Sequence, residues 1–252
     1  MVTRRVIVCL DVKGDRVVKG VRFESLRDVG DPVALAERYE LDGADEIVYL
    51  DISASAEERS TLLDLARRTA ERLFIPLTIG GGIRSADDVA RALRAGADKV
   101  GVNTAAVENP EILSTCADRF GAQCVVASID AKRDGDSWLV HTRGGRTPTS
   151  LDAVSWAREC VRRGAGELLV TSIDRDGART GYDLELTAAI ADAVDVPVIA
   201  SGGAGSAAHV RDAIEVGHAD AALVAGILHE GITTVGEIKS ELARNGISVR
   251  AS

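Results

Sequence analysis

Two aspartates, Asp11 closing the apolar run VIVCLD and Asp130 closing VVASID, stand 119 residues apart in matching contexts. One carboxylic acid and one carboxylate that exchange roles are what moving protons between two positions of a substrate requires. Bracing of the loops that follow is the structural alternative. Two glycine-rich turns accompany the pair, one at Gly80, Gly81 and Gly82 and one at Gly202 and Gly203, each followed by a second turn of small residues (Asn103 and Thr104; Ala225 and Gly226). Such turns at the start of a helix present backbone N–H groups at its positive end, which suits a phosphate. Any one of them is equally well explained as a tight reversal, whereas the matched pair favours two phosphate seats. Thr171 and Ser172 end another apolar run just before DRDG, and Lys19 is either an anion contact or a solvated loop lysine.

These groups recur because the chain is doubled. A shift of 121 positions lays IPLTIGGGIRSADDVARALRAGA on VPVIASGGAGSAAHVRDAIEVGH with 8 of 23 residues identical, and DGADEIVYLDI on RGAGELLVTSI. Eight short apolar runs (RVIVCL, EIVYLDI, PLTIGG, KVGVN, CVVASID, ELLVTSI, PVIASGG and AALVAG) alternate with stretches of helical periodicity, several of which begin at Asp, Ser or Asn and end at Gly, as helix caps predict. Eight strand–helix units in 252 residues predict one (β/α)8 barrel spanning 1–252, with half-barrels about 1–121 and 122–252. An open doubly wound sheet does not account for two equal halves. Active-site groups then lie at the carboxyl ends of strands, where Asp11 and Asp130 face each other from half a barrel apart. Two long connections, 12–31 and 131–150, each hold a strand-like stretch and several cations, and read as mobile covers over an anion.

Side chains two apart on a strand share a face. Counting back from the mouth places Arg5 beneath Asp11, Lys99 beneath Asn103, Glu167 beneath Thr171 and Glu46 beneath Leu50, so two cations and two anions gather at the opposite rim. They form either a compensated salt-bridge cluster or a gate for a small molecule entering a column of small and weakly polar residues (Cys9, Gly101, Ser128, Thr171).

A net charge of −9 without basic–aromatic runs argues against a nucleic-acid surface. No apolar stretch is long enough to span a membrane and no signal peptide is recognisable, so a soluble, cytoplasmic protein is expected. Cys9, Cys116, Cys124 and Cys160 lack metal or disulfide spacing, and neither a metal nor an organic cofactor is implied.

Over nearly the whole chain, CLDVKGDRVVKGVRFESLRDVGDPVALA, VYLDISAS, TIGGGI, ADKVGVNTAAVENP, SIDAKR, TSIDRDGARTGYD and IASGGAG resemble the cyclase subunits of imidazole glycerol phosphate synthase. These are the ammonia-using half of a glutamine amidotransferase in histidine biosynthesis. The resemblance implies Asp11 and Asp130 as catalytic acid and base and places Lys19 on a mobile loop. It implies phosphate seats at Gly82, Asn103 and Thr104 and at Asp176, Gly177, Gly203, Ala225 and Gly226, to which the residue pattern adds Thr171 and Gly202. Gly226 stands where a Ser is frequent, leaving only the backbone N–H. Arg5, Glu46, Lys99 and Glu167 match the family's charged gate for ammonia, and Asp98 matches a position on the docking face for a glutaminase subunit, the partner in a heterodimer. The implied substrate carries two phosphates. A sister isomerase acting on the aldose precursor, and a phosphate-binding barrel without catalysis, are the alternatives.

Overall fold

Runs such as EIVYLD and AALV, apolar at successive positions, are what a parallel sheet buried on both faces requires. The computed structural model describes residues 3–21, 24–52 and 56–250, with side chains described over 3–18, 27–52 and 61–250. Its strands are β1 (Arg5–Lys13), β2 (Arg16–Val21), β3 (Glu24–Gly30), β4 (Glu46–Asp51), β5 (Leu77–Gly80), β6 (Lys99–Val102), β7 (Val125–Asp134), β8 (Ser137–Thr142), β9 (Thr147–Asp152), β10 (Glu167–Ser172), β11 (Val198–Ser201) and β12 (Ala221–Val224). Eight of these, β1, β4, β5, β6, β7, β10, β11 and β12, pair in parallel, and β12 returns to β1 to close a barrel. Carrying the register of each neighbouring pair once around the ring returns to β1 displaced by eight residues. That stagger is the shear of a (β/α)8 barrel.

The helices α1 (Pro32–Leu41), α2 (Ala56–Ala70), α3 (Ala86–Arg94), α4 (Thr104–Glu108), α5 (Glu111–Phe120), α6 (Ala153–Arg162), α7 (Leu184–Ala191), α8 (Ala207–Glu215), α9 (Gly226–His229) and α10 (Val235–Arg244) intersperse with the strands. The 121-residue offset recurs in their caps. Asp31 and Asp152 accept from the third residue of α1 and α6, and Ser85 and Ser206 do the same for α3 and α8. Each such cap stabilises its helix by about 1 kcal/mol.

The two long connections are antiparallel hairpins continuing β1 and β7, rather than loops with one strand-like stretch each. The second is fastened at several points. Arg133 N–H donates to Asp174 (2.8 Å), its guanidinium pairs with Glu185 (2.6 Å) and covers the Trp138 ring, and Trp138 Nε1–H donates to Asp183 (3.2 Å). The Lys19 backbone is in register with Arg27 on the first hairpin, while its side chain lies outside the described residues, as do Ser53, Ala54 and Ser55 of VYLDISAS.

At the amino-terminal rim, an aspartate just ahead of a strand repeatedly holds an amide at the start of the neighbouring strand. Asp45 accepts from Val6 N–H (2.8 Å), Asp98 from Leu77 N–H (2.9 Å) and Asp220 from Val198 N–H (3.1 Å). The fourth equivalent place is Gly166, where a Cβ would collide with the Ala122 carbonyl. Asp45 is also paired with Lys239 (2.7 Å), and both are almost inaccessible to solvent. Removing one member of a buried pair costs the other its compensation, and without Lys239 the Asp45 carboxylate keeps only the more exposed Arg250, 3.6 Å away, as a cation. Lys239→Met is therefore expected to cost about 3 kcal/mol in urea unfolding, and Asp45→Asn added to it to recover part of that loss.

Candidate active site

The barrel interior is built by alternation. Ile7 and Cys9 from β1, Val48, Val126, Leu169, Ile199, Ala221 and Leu223 form an inner cluster separate from the larger core between strands and helices. Asp11 continues the inward face of Ile7 and Cys9, and Asp130 that of Val126 and Ser128, so the two carboxylates belong to the carboxyl ends of strands half a barrel apart. The Cys9 thiol lies 3.9 Å from Asp11 Oδ1. Asn103 Nδ2 donates to Asp130 Oδ2 at 2.9 Å, and its own Oδ1 is buried without a hydrogen-bond partner.

Part of Asp130 remains accessible, yet its surroundings favour the neutral acid. Burial in the barrel mouth and then the Asp176 charge push its pKa up to about 6, against the Asn103 hydrogen bond that lowers it. An acid in this range donates a proton and recovers it readily near neutral pH. Asp130 is flanked in register by Thr171, which pairs onward with Ser201, next to Gly202.

The helix starts around the mouth divide into two kinds. The glycine turns at 80–82 and 202–203 precede α3 and α8 by several residues, and Ser85 and Ser206 already occupy the first turns of those helices. By contrast, Asn103 and Ala225, which precede α4 and α9, share an unusual backbone conformation (φ −116°, ψ −89° and φ −138°, ψ −80°) and neither caps its helix with a side chain. The amides of these two short helices are the better placed for an outside anion. Thr104 Oγ1 accepts from Arg143 N–H (2.9 Å), leaving the Thr104 hydroxyl proton for another acceptor. Gly81 and Gly203 are at φ 88° and 107°, and a side chain at either would collide with a backbone carbonyl, of Asp51 and Gly181 respectively. Gly82 and Gly177 are likewise left-handed, at φ 68° and 74°.

At the other end of the lumen the four rim charges meet. Arg5 pairs with Glu46 (3.2 Å) and Glu167 (2.5 Å), and Lys99 with Glu46 (2.8 Å) and Glu167 (2.7 Å). Thr78 also donates to Glu46. Burial by itself lowers the Arg5 pKa, but Glu167 and Glu46 outweigh it and the net effect is upward. A cavity of about 290 Å³ opens beside this ring, lined by Thr3, Arg5, Lys99, Gln123, Gly166, Glu167, Pro197 and Asp220. Among the described residues, no group of three or more His, Cys, Asp or Glu is arranged to hold a metal ion, and no helix is long and apolar enough to cross a membrane.

Sequence reasoning missed the contact of Asn103 with Asp130 and a partly buried link from Tyr39 through His229 to the Cys9 carbonyl. Asn103 was legible as a member of a phosphate seat but not as a partner of Asp130. His229 carried no periodic signal at all.

A family profile described as histidine biosynthesis protein matches residues 5–234. The chain is 74% identical to imidazole glycerol phosphate synthase subunit HisF of Myxococcus xanthus (strain DK1622) over 251 residues, covering 100% of this chain and 99% of that protein. It is 57% identical to the subunit of the same name from Geobacillus thermodenitrificans (99% and 100% covered). The counterpart from Thermosynechococcus vestitus is 56% identical (99% and 91% covered).

Two outcomes test the electrostatics of Asp130. An acid whose pKa is higher folded than unfolded weakens the fold once pH exceeds the folded value, and does so no longer below the unfolded value near 4. Asp130→Asn is thus expected to raise stability by on the order of 2 kcal/mol at pH 8 and hardly at all near pH 4, in thermal scans. Asn103→Ala removes the bond that favours the charged form, and a carboxyl 13C NMR titration should then find Asp130 titrating above the wild-type value.

Proposed function

The chain belongs to the histidine biosynthesis protein family as a HisF-type cyclase subunit of imidazole glycerol phosphate synthase, and we propose that Asp11 and Asp130 perform its proton transfers. The substrate is N'-(5'-phosphoribulosyl)formimino-5-aminoimidazole-4-carboxamide ribonucleotide, held by a phosphate at each end. One seat comprises Gly82, Asn103 and Thr104. The other comprises Thr171, Asp176, Gly177, Gly202, Gly203, Ala225 and Gly226, with Lys19 contributing from the first hairpin.

Ammonia adds to the ketose carbonyl carbon. Asp130, with its raised affinity for a proton, protonates the carbonyl oxygen to a hydroxyl, and a second proton, released from nitrogen and relayed by Asp11, lets that hydroxyl leave as water. Asp11, as carboxylate, takes the proton released from nitrogen. The formimino C–N bond then breaks as the imidazole ring closes, and the protons pass back through the same pair. Imidazole glycerol phosphate and the aminoimidazole carboxamide ribonucleotide leave, so substrate plus ammonia is balanced by these two products and one water. No metal or organic cofactor is required by this sequence.

Ammonia comes from a glutaminase subunit that forms a heterodimer on the amino-terminal face, near Asp98, and enters through the ring of Arg5, Glu46, Lys99 and Glu167. A closed ring of four ion pairs supports a gate, because a neutral molecule passes only when at least one pair separates. The enzyme works in the cytoplasm, and the polypeptide acts as one domain built of two half-barrels.

The observation that carries this reading is the pair of inward carboxylates on strands half a barrel apart, one of them with a pKa near 6. The purified subunit should turn over the ketose substrate with ammonium salts and leave the aldose untouched; the reverse would indicate the sister isomerase. Asp11→Asn and Asp130→Asn should each lower kcat by about 1000-fold or more while KM stays within a few-fold. Phosphate affinity with no turnover in the unaltered protein would instead mark a binding barrel.

A further inference from the structure

The β1–β12 ladder stops at the pair Val8 and Val224. One residue further along β1, the Cys9 carbonyl is met by an imidazole in place of a strand amide, with His229 Nε2 3.1 Å from it. A carbonyl only accepts, so Nε2 carries the proton and Nδ1 is the acceptor. Nδ1 lies 2.7 Å from the Tyr39 hydroxyl, which therefore donates to it. Tyr39, from α1, is 1% exposed, and burial pushes its phenol up, keeping it a neutral donor. The rings are tilted by 48° with centroids 5.7 Å apart. Both imidazole nitrogens are thus engaged between a helix on the outside of the barrel and the strand that carries Asp11.

His229 is the last residue of α9 and Gly226 its first. We propose that His229 is a positioning residue for Asp11. It supplies the donor that β12 no longer provides and ties the carboxyl end of β1 to the turn at Ala225 and Gly226. This rests on the enzymatic reading above, in which that turn takes one phosphate of the substrate. One turn of helix then fixes how far Asp11 stands from a group bound there, two residues beyond the carbonyl that His229 holds. Tyr39 fixes the plane and tautomer of the ring.

The test separates reach from mere polarity. In His229→Gln the side-chain amide reaches the place of Nε2–H, whereas in His229→Asn it ends near the place of Nδ1 and falls short of Cys9. With ketose substrate and saturating ammonium, His229→Asn is expected to lower kcat about 10–100-fold with KM within about threefold. His229→Gln is expected to restore kcat to within about threefold of the unaltered enzyme. Equal kcat in the two variants, or a change confined to KM, overturns the proposal. If His229→Asn does not fold, Tyr39→Phe takes its place, with a several-fold fall in kcat expected and an unchanged kcat overturning the idea. Absence of ammonium-dependent turnover in the unaltered protein would sink the enzymatic reading, and this inference with it.

Discussion

On each strand of this barrel every second residue faces the lumen, and that single constraint ties the two ends of the molecule together. Arg5, Ile7, Cys9 and Asp11 form one column, and Glu167, Leu169 and Thr171 another. The groups that close the bottom and the groups that line the mouth are parts of the same rods, separated by about 20 Å at 3.3 Å per residue. Between them lies an inner cluster of aliphatic side chains broken by Gly101, where a Cβ would approach Ser128 Oγ to 3.1 Å. Slippage of any strand by one residue would turn its lumen column into the helix-facing core.

The two ends treat charge in opposite ways. At the rim, Arg5 and Lys99 each contact both Glu46 and Glu167, so nearly inaccessible carboxylates are compensated. At the mouth, Asp130 has an amide for a partner and a second aspartate, Asp176, for a neighbour, and its pKa rises. Buried carboxyl groups are thus balanced by cations at one end of the lumen and left without a cation at the other. The helix starts follow a similar division. Where α1, α3, α6 and α8 have side-chain caps, α4 and α9 have none, so stabilisation is forgone where an anion is proposed to bind.

The eight barrel strands, the longer helices between them and the lumen columns were legible because period two and period 3.6 are written directly into the residues, whereas the short helices α4 and α9 carry too few turns to show a period. The rim cluster followed from the same counting, without any reference to a relative. The hairpins were half legible. RVVKGV and SWLVHT are rich in β-branched and aromatic residues, but their partners ESLRDVG and TPTSLD are polar and contain Gly or Pro, so only pairing reveals them as strands. Asp45 and Asp220 looked like ordinary loop residues, since nothing local announces that a carboxylate will hold an amide from another strand. For Asp98 the resemblance pointed to a docking face, and the structure adds its bond to Leu77 N–H. His229 was silent for the same reason: its partners are 190 and 220 residues away in the chain.

The rim aspartates carry an implication for how such a barrel is assembled from pieces. Asp45 fastens β4 to β1, Asp98 fastens β6 to β5, and Asp220 fastens β12 to β11. Each bolt lies inside a two-strand unit, while the joints between units, β4 to β5 and β6 to β7, have no such bolt among these three. Gene fragments cut after every second strand would keep all of these fastenings intact, so shuffling of modules at those joints preserves local order that cuts elsewhere would destroy. The unit that begins at β7 lacks such a bolt because Gly166 occupies the place, so its two strands are joined through the β7–β10 ladder alone at that rim.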